Sequence, residues 1–254
     1  MRSPALLLLV LGSAVVAHAA AIPAAKLDAI GSEVVATKGA PGVAIGVLRG
    51  GHVVYAKGFG VADLENNVPL RAGSVFPIAS VTKTFTAAAV LQLVADGKVA
   101  LDDDIGKYLP DLPLRGKGVT VRRLLDHTAG VHNLTTNRAY WAQAANPIEP
   151  AELAKFFRDE PLDFEPGSRY AYSNSGYILL GLLIEKASGM SYPDYLRTHF
   201  FTPLGLTHTS YCGGPSLVAA RVRGYVSEGG HFANAPHVDM SQGYAAGGVC
   251  STVG

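Results

Sequence analysis

Ser80-Val-Thr-Lys83 is the segment of this sequence best equipped for covalent chemistry. Residues three apart on a helix share a face, so the lysine amine can lie beside the serine hydroxyl. A serine hydroxyl is a weak nucleophile until a neighbouring base takes its proton. Lysine serves as that base when desolvation or a nearby positive charge lowers its pKa. Ala87, Ala88, Ala89, Val90, Leu91, Leu93 and Val94 make the surrounding segment apolar nearly all round, which supplies the desolvation. Ser80 also follows Pro77-Ile78-Ala79, at the expected start of a helix. There the free N–H groups and the helix dipole favour developing negative charge. Taken alone, Ser-x-x-Lys is a frequent chance match, and a capping serine with a surface lysine explains it too.

A second constellation is Tyr172-Ser173-Asn174, between a Pro-Gly loop and a helical pattern. A phenol at such a junction can point into a cleft and relay the proton of Ser80. Asn174 offers both a donor and an acceptor, enough to hold Lys83 and a substrate amide. The blander alternative is alternating strand residues at Tyr170 and Tyr172 with Asn174 as a helix cap.

The elements that must position these groups follow from pattern. Residues 22–38 have helical spacing, ended by Gly39-Ala-Pro41-Gly42. Residues 43–48 and 52–56 read as strands joined by the turn Arg49-Gly50-Gly51, and Gly58-Phe-Gly60 with the polar stretch Asp63 to Asn67 as an outgoing loop. Residues 80–96, without proline or glycine, form the best helix, stopped by Gly97 and expected at the centre of the domain. Residues 102–108, 121–126, 149–157, 174–187 and 192–200 are further helical segments, and 221–226 a candidate strand. Strands gathered at one end and helices after them indicate an α+β architecture. One hairpin is not a stable sheet, so further strands are required, and little in residues 80–210 looks able to supply them.

The chain has 254 residues, 48% hydrophobic and 16% charged, with a net charge of +1. That is enough chain for a large core, which excludes disorder. The charge balance draws it neither to nucleic acid nor to an anionic membrane. Met1-Arg2, the apolar stretch from Ala5 to Val16 and Ala17-His18-Ala19 read as a signal peptide over residues 1–20. The apolar stretch is shorter than the roughly 20 residues of a spanning helix. The expected location is therefore periplasmic or secreted, with no stable membrane anchor after cleavage. Cys212 and Cys250 either pair or remain two buried thiols; sequence leaves both open. The histidines show no metal-ligand spacing, and no metal or cofactor is expected. Asp102-Asp-Asp104 reads as an acidic helix start more readily than as a calcium site. Tyr140 and Trp141 either form a lid over substrate or pack a long loop down.

Several stretches in order resemble the serine β-lactamase and penicillin-binding superfamily, in its class C β-lactamase and related esterase branch. They are Phe76 to Lys83, Leu124-Leu-Asp-His127-Thr-Ala-Gly130, Phe164 to Gly181, Phe201-Thr-Pro203-Leu-Gly205 and Ala245-Ala-Gly247-Gly248. The resemblance implies a helical subdomain, about residues 85–215, beside an antiparallel sheet. It also implies acylation of Ser80, proton movement by Lys83 and Tyr172, positioning by Asn174, and an oxyanion hole using the Ser80 N–H. The substrate would be a small molecule or peptide: a β-lactam, a D-alanyl peptide or a simple ester. The family's third motif, Lys-Thr-Gly or His-x-Gly, does not follow Thr252. The expectation is a domain over residues 21–254 lacking its C-terminal part and part of its sheet. A non-catalytic binding or scaffold homologue, or an inactive fragment, is the alternative.

Overall fold

The computed structural model describes residues 23–37, 39–112, 114 and 118–254. The signal-peptide expectation for residues 1–20 lies outside the described residues. Helix α1 (Ala24–Ala36) precedes the hairpin β1 (Gly42–Arg49) and β2 (His52–Asp63), which β3 (Val68–Pro69) extends to an antiparallel sheet of order β1-β2-β3. Strand β2 runs through the segment expected to be a loop from Gly58 onward. Its glycines let the backbone pass close to its neighbours. A Cβ on Gly58 would sit 2.5 Å from the Leu70 carbonyl, and one on Gly60, at φ +72°, 2.2 Å from that of Pro41. What reads as loop composition is the cost of close approach inside a strand.

After β4 (Phe76–Pro77), a 3-10 turn at Ala79–Val81 leads into helix α2 (Thr82–Ala95). Helices α3 (Val121–Leu125), α4 (Arg138–Ala142), α5 (Pro150–Leu153), α6 (Asn174–Ser188) and α7 (Tyr192–Leu196) follow. Residues 102–108 supply only a 3-10 turn at Ile105–Lys107. The side chain of Asp104 caps it by accepting from the Gly106 N–H at 2.9 Å. The chain then makes β5 (Ser210–Tyr211), the hairpin β6 (Tyr225–Glu228) and β7 (His231–Asn234), the short helix α8 (Tyr244–Gly247) and β8 (Val249–Ser251). Strand β8 pairs antiparallel with β4 on one side and β5 on the other. Only part of the expected 221–226 strand is realised, in β6. Arg221 makes an isolated bridge to Val75 instead.

The central helix is α6, not α2 as expected from composition. On α6 the side chains of Ile178, Leu179, Leu180, Leu183 and Ile184 are fully buried. Each such burial stabilises by about 1.5–3 kcal/mol. Helix α2 is one-sided: Thr82, Lys83, Thr86, Ala89, Val90 and Leu93 are buried, while Leu91 is half exposed. The buried stripe has helical spacing, and Lys83 belongs to it. Cys212 and Cys250 form a disulfide with Cα atoms 5.9 Å apart, fastening β8 to the residue after β5. Among the described residues no helix is long and apolar enough to cross a membrane.

Candidate active site

Ser80 stands on the 3-10 turn that opens α2. The residue before it, Ala79, has φ +45°, a conformation rarely adopted by L residues. Strand β8 grips this turn at both ends. The Ile78 N–H donates to Val249 O at 2.9 Å, and the Val249 N–H donates to Thr82 Oγ1 at 3.1 Å.

The four residues singled out from sequence come together. Ser80 Oγ is 2.6 Å from Tyr172 Oη. Lys83 Nζ donates to Ser80 Oγ at 3.2 Å and to Asn174 Oδ1 at 2.9 Å. Its third donor goes to the carbonyl of Ala246 on α8, at 2.7 Å. An ammonium has three donors, and all three are placed. Lys83 is only 7% exposed, and its Nζ also lies 4.8 Å over the Tyr172 ring and 5.4 Å over that of Tyr177. Burial lowers the pKa of Lys83 from its ordinary value, with the adjacent Tyr172 acting in the opposite sense. The nucleophile thus has a buried, fully partnered amine on one side and a phenol on the other.

Sequence gave no role to the Ala246 carbonyl, because a main-chain acceptor leaves no side-chain signature. The same applies to Asn133, whose Oδ1 accepts from the Asn174 N–H at 3.1 Å. Beneath the site, Thr86 Oγ1 lies 2.7 Å from both the Ala245 carbonyl and Tyr192 Oη, and so ties α2 to α8 and α7.

The other candidates separate from this group. Tyr140 is buried and donates to Gln242 O at 3.3 Å, packing its loop down. Trp141 is half exposed and donates to Thr135 O at 2.8 Å. The three aspartates serve local structure: Asp102 pairs with Arg122 at 2.8 Å, Asp103 with Lys107 at 2.7 Å, and Asp104 caps its turn. His132 bridges Asp163 at 2.8 Å and Thr136 at 2.9 Å, while the His199 ring stacks on Tyr195 at 4.3 Å. Among the described residues no cluster of three or more His, Cys, Asp or Glu could hold a metal ion.

A buried serine–lysine pair at a helix start, closed by a tyrosine and an asparagine from a second helix, is a constellation suited to acyl transfer. Its setting is an α+β fold of the β-lactamase/transpeptidase kind. The beta-lactamase family model matches residues 27–254, and the chain belongs to that family. It is 37% identical over 164 residues to penicillin-binding protein 4* of Bacillus subtilis, covering 63% of this chain and 36% of that protein. It is 30% identical over 284 residues to the human mitochondrial serine beta-lactamase-like protein, covering 85% of this chain and 52% of that one. The octameric penicillin-binding protein homologue of Pyrococcus abyssi superposes with a TM-score of 0.78 at 32% identity, over 91% of this chain and 54% of that one. The D-amino acid amidase of Ochrobactrum anthropi, in complex with L-phenylalanine, gives 0.81 at 29% identity, over 91% and 68%. The chain spans about half or less of the length of these curated relatives.

Proposed function

We propose that this protein is an exported serine hydrolase that transfers an acyl group from an ester or amide to Ser80 and then to water. The convergence of Lys83 Nζ and Tyr172 Oη on Ser80 Oγ carries the reading. As Oγ bonds to the substrate carbonyl carbon, its proton passes to the Tyr172–Lys83 pair in its state one proton short of phenol plus ammonium, where the phenolate oxygen or the neutral amine accepts it. The carbon–nitrogen or carbon–oxygen bond then breaks, and the leaving amine or alcohol departs with that proton. Water attacks the acyl-serine by the reverse relay. Asn174 holds Lys83 in place, and the Ser80 N–H faces the developing oxyanion. The substrate is a small molecule or peptide, of the β-lactam, D-alanyl peptide or simple ester type. An amidase among the structural relatives supports an amide. The signal-like first twenty residues support a periplasmic or secreted location.

The test is covalent labelling with a fluorophosphonate and with a fluorescent penicillin. The wild-type protein takes up label and Ser80→Ala takes up none. Equal labelling of both removes Ser80 from the mechanism. No labelling of folded wild type favours the non-catalytic binding homologue.

A further inference from the structure

His127 lies outside the proton relay, yet it holds Tyr172 from three directions. It follows α3 at the tight turn Asp126-His127, with φ +61°. Such a conformation is disfavoured for a residue with a Cβ and persists only where the surroundings impose it. Here it directs both the carbonyl and the ring of His127 toward the loop segment carrying Tyr172. The His127 carbonyl accepts from the Ala171 N–H at 2.9 Å. Its Nδ1 accepts from the Ser173 N–H at 3.3 Å. The two peptide N–H groups flanking Tyr172 are therefore held by one residue. The imidazole also lies against the Tyr172 ring, with centroids 4.6 Å apart and planes tilted 37°, and against the Tyr177 ring of α6 at 5.1 Å.

Resting on the hydrolase reading above, we infer that His127 is a positioning residue that keeps the Tyr172 phenol on Ser80 only while its imidazole is uncharged. An Nδ1 that accepts a hydrogen bond carries no proton, so the ring is the Nε2–H tautomer. Protonating it converts Nδ1 into a donor facing another donor, the Ser173 N–H. It also places a second cation beside Lys83. The groups facing the ring are Lys83 from α2, Tyr170 and Tyr172 from the loop, Tyr177 from α6, and Asp126 from its own turn. The Asp126 carboxylate is already engaged by Thr128, through N–H at 3.1 Å and Oγ1 at 2.6 Å. Burial, then the charge of Lys83, holds the imidazole below its ordinary pKa of 6.5, with Asp126 pulling weakly the other way. The unfolded chain therefore takes up the proton first as pH falls below about 6.5, and the clamp weakens in that direction.

Two substitutions and one spectrum test this. Asparagine tolerates the left-handed backbone and offers Oδ1 to the Ser173 N–H, but does not titrate. His127→Asn should acylate within about fivefold of wild type at neutral pH and lose the acid decline that wild type shows. Phenylalanine keeps the ring contacts and removes the acceptor; His127→Phe should acylate at least about tenfold more slowly. Nitrogen-15 NMR of the wild-type imidazole should show Nδ1 unprotonated at pH 7, titrating below 6.5 together with the Ser173 amide. An acid decline unchanged in a folded His127→Asn, or an Nδ1 protonated at pH 7, overturns the inference. If wild type takes no label, the hydrolase reading fails by itself, and the NMR titration still decides whether the clamp exists.

Discussion

Helix α6 meets α8 at Gly181, and adding one methyl group there should disturb chemistry that Gly181 never touches. A Cβ at this position would lie 2.4 Å from Tyr244 Cε1 and 2.5 Å from Ala245 Cβ. Carbon atoms pack at about 3.5–4.0 Å, so the two helices must separate by roughly 1 Å. Two terms compete in Gly181→Ala. Alanine in a helix interior gains about 1 kcal/mol over glycine. Overpacking a core costs about 1–3 kcal/mol. Here the packing term wins, because Tyr244 and Ala245 are buried and have nowhere to retreat. The net loss of up to about 2 kcal/mol lowers Tm by up to roughly 8 °C for a protein of this size. The separation also draws the Ala246 carbonyl from its 2.7 Å contact with Lys83, out to a distance that no longer bonds. A displacement of about 1 Å in a catalytic group costs up to about 100-fold, so Ser80 labelling should slow by about 10- to 100-fold. Gly176 on the same helix is the control. A Cβ there would meet Leu124 Cδ2 at 3.5 Å, an ordinary contact, so Gly176→Ala should hold or raise Tm. Thermal melts and labelling time courses of both variants decide the matter. If Gly181→Ala raises Tm as Gly176→Ala does, the packing argument is wrong. If it lowers Tm but labels at the wild-type rate, α8 does not transmit to Lys83.

Thr86→Val keeps the shape of the side chain but strips the partner from Tyr192 Oη and the Ala245 carbonyl, both 2.7 Å away. Leaving a buried polar group unpartnered costs about 1–3 kcal/mol, so urea melts should show a loss in that range or above, and an unchanged midpoint would contradict it. Replacing Cys212 and Cys250 together by serine opens a loop spanning 38 residues. Loop entropy predicts about 4 kcal/mol for a loop of this size, with measured values typically about 2–4, and calorimetry showing no loss would refute a stabilising bridge.

The nucleophile group was legible because its spacing is local. Ser80 and Lys83 need only one helical turn to meet, and Tyr172 and Asn174 stand two residues apart at a helix start. What sequence hid was supplied by main chain or by distance. Nothing about Ala246 marks its carbonyl as the third acceptor for Lys83. His127 stood in a recognisable segment, but its grip on Ala171 and Ser173 depends on a turn that composition does not announce. The placement of the helices escapes composition for a related reason. Composition places the richly apolar α2 at the centre, but alanines are small, and Leu91 faces outward. The larger side chains of α6 fill the middle. In β2 the glycines look like loop residues, since periodicity registers the missing side chain and not the neighbour that requires its absence.

Backbone strain gathers around this site. Among the described residues five other than glycine have positive φ: Asn67, Ala79, His127, Ala220 and Tyr244. Three of them adjoin the reactive group. Ala79 precedes Ser80, His127 grips the segment of Tyr172, and Tyr244 opens the helix whose Ala246 carbonyl binds Lys83. Each such conformation costs on the order of 1–3 kcal/mol. Burying the amine of Lys83 adds a further desolvation penalty. A fold selected for stability alone would have relaxed these positions with glycine or with an apolar side chain. Their concentration at one place, opposed by the fully buried apolar run of α6, is what a site held in a reactive geometry requires. In that arrangement the Ser80 hydroxyl lies 2.6 Å from the Tyr172 phenol and 3.2 Å from the Lys83 amine.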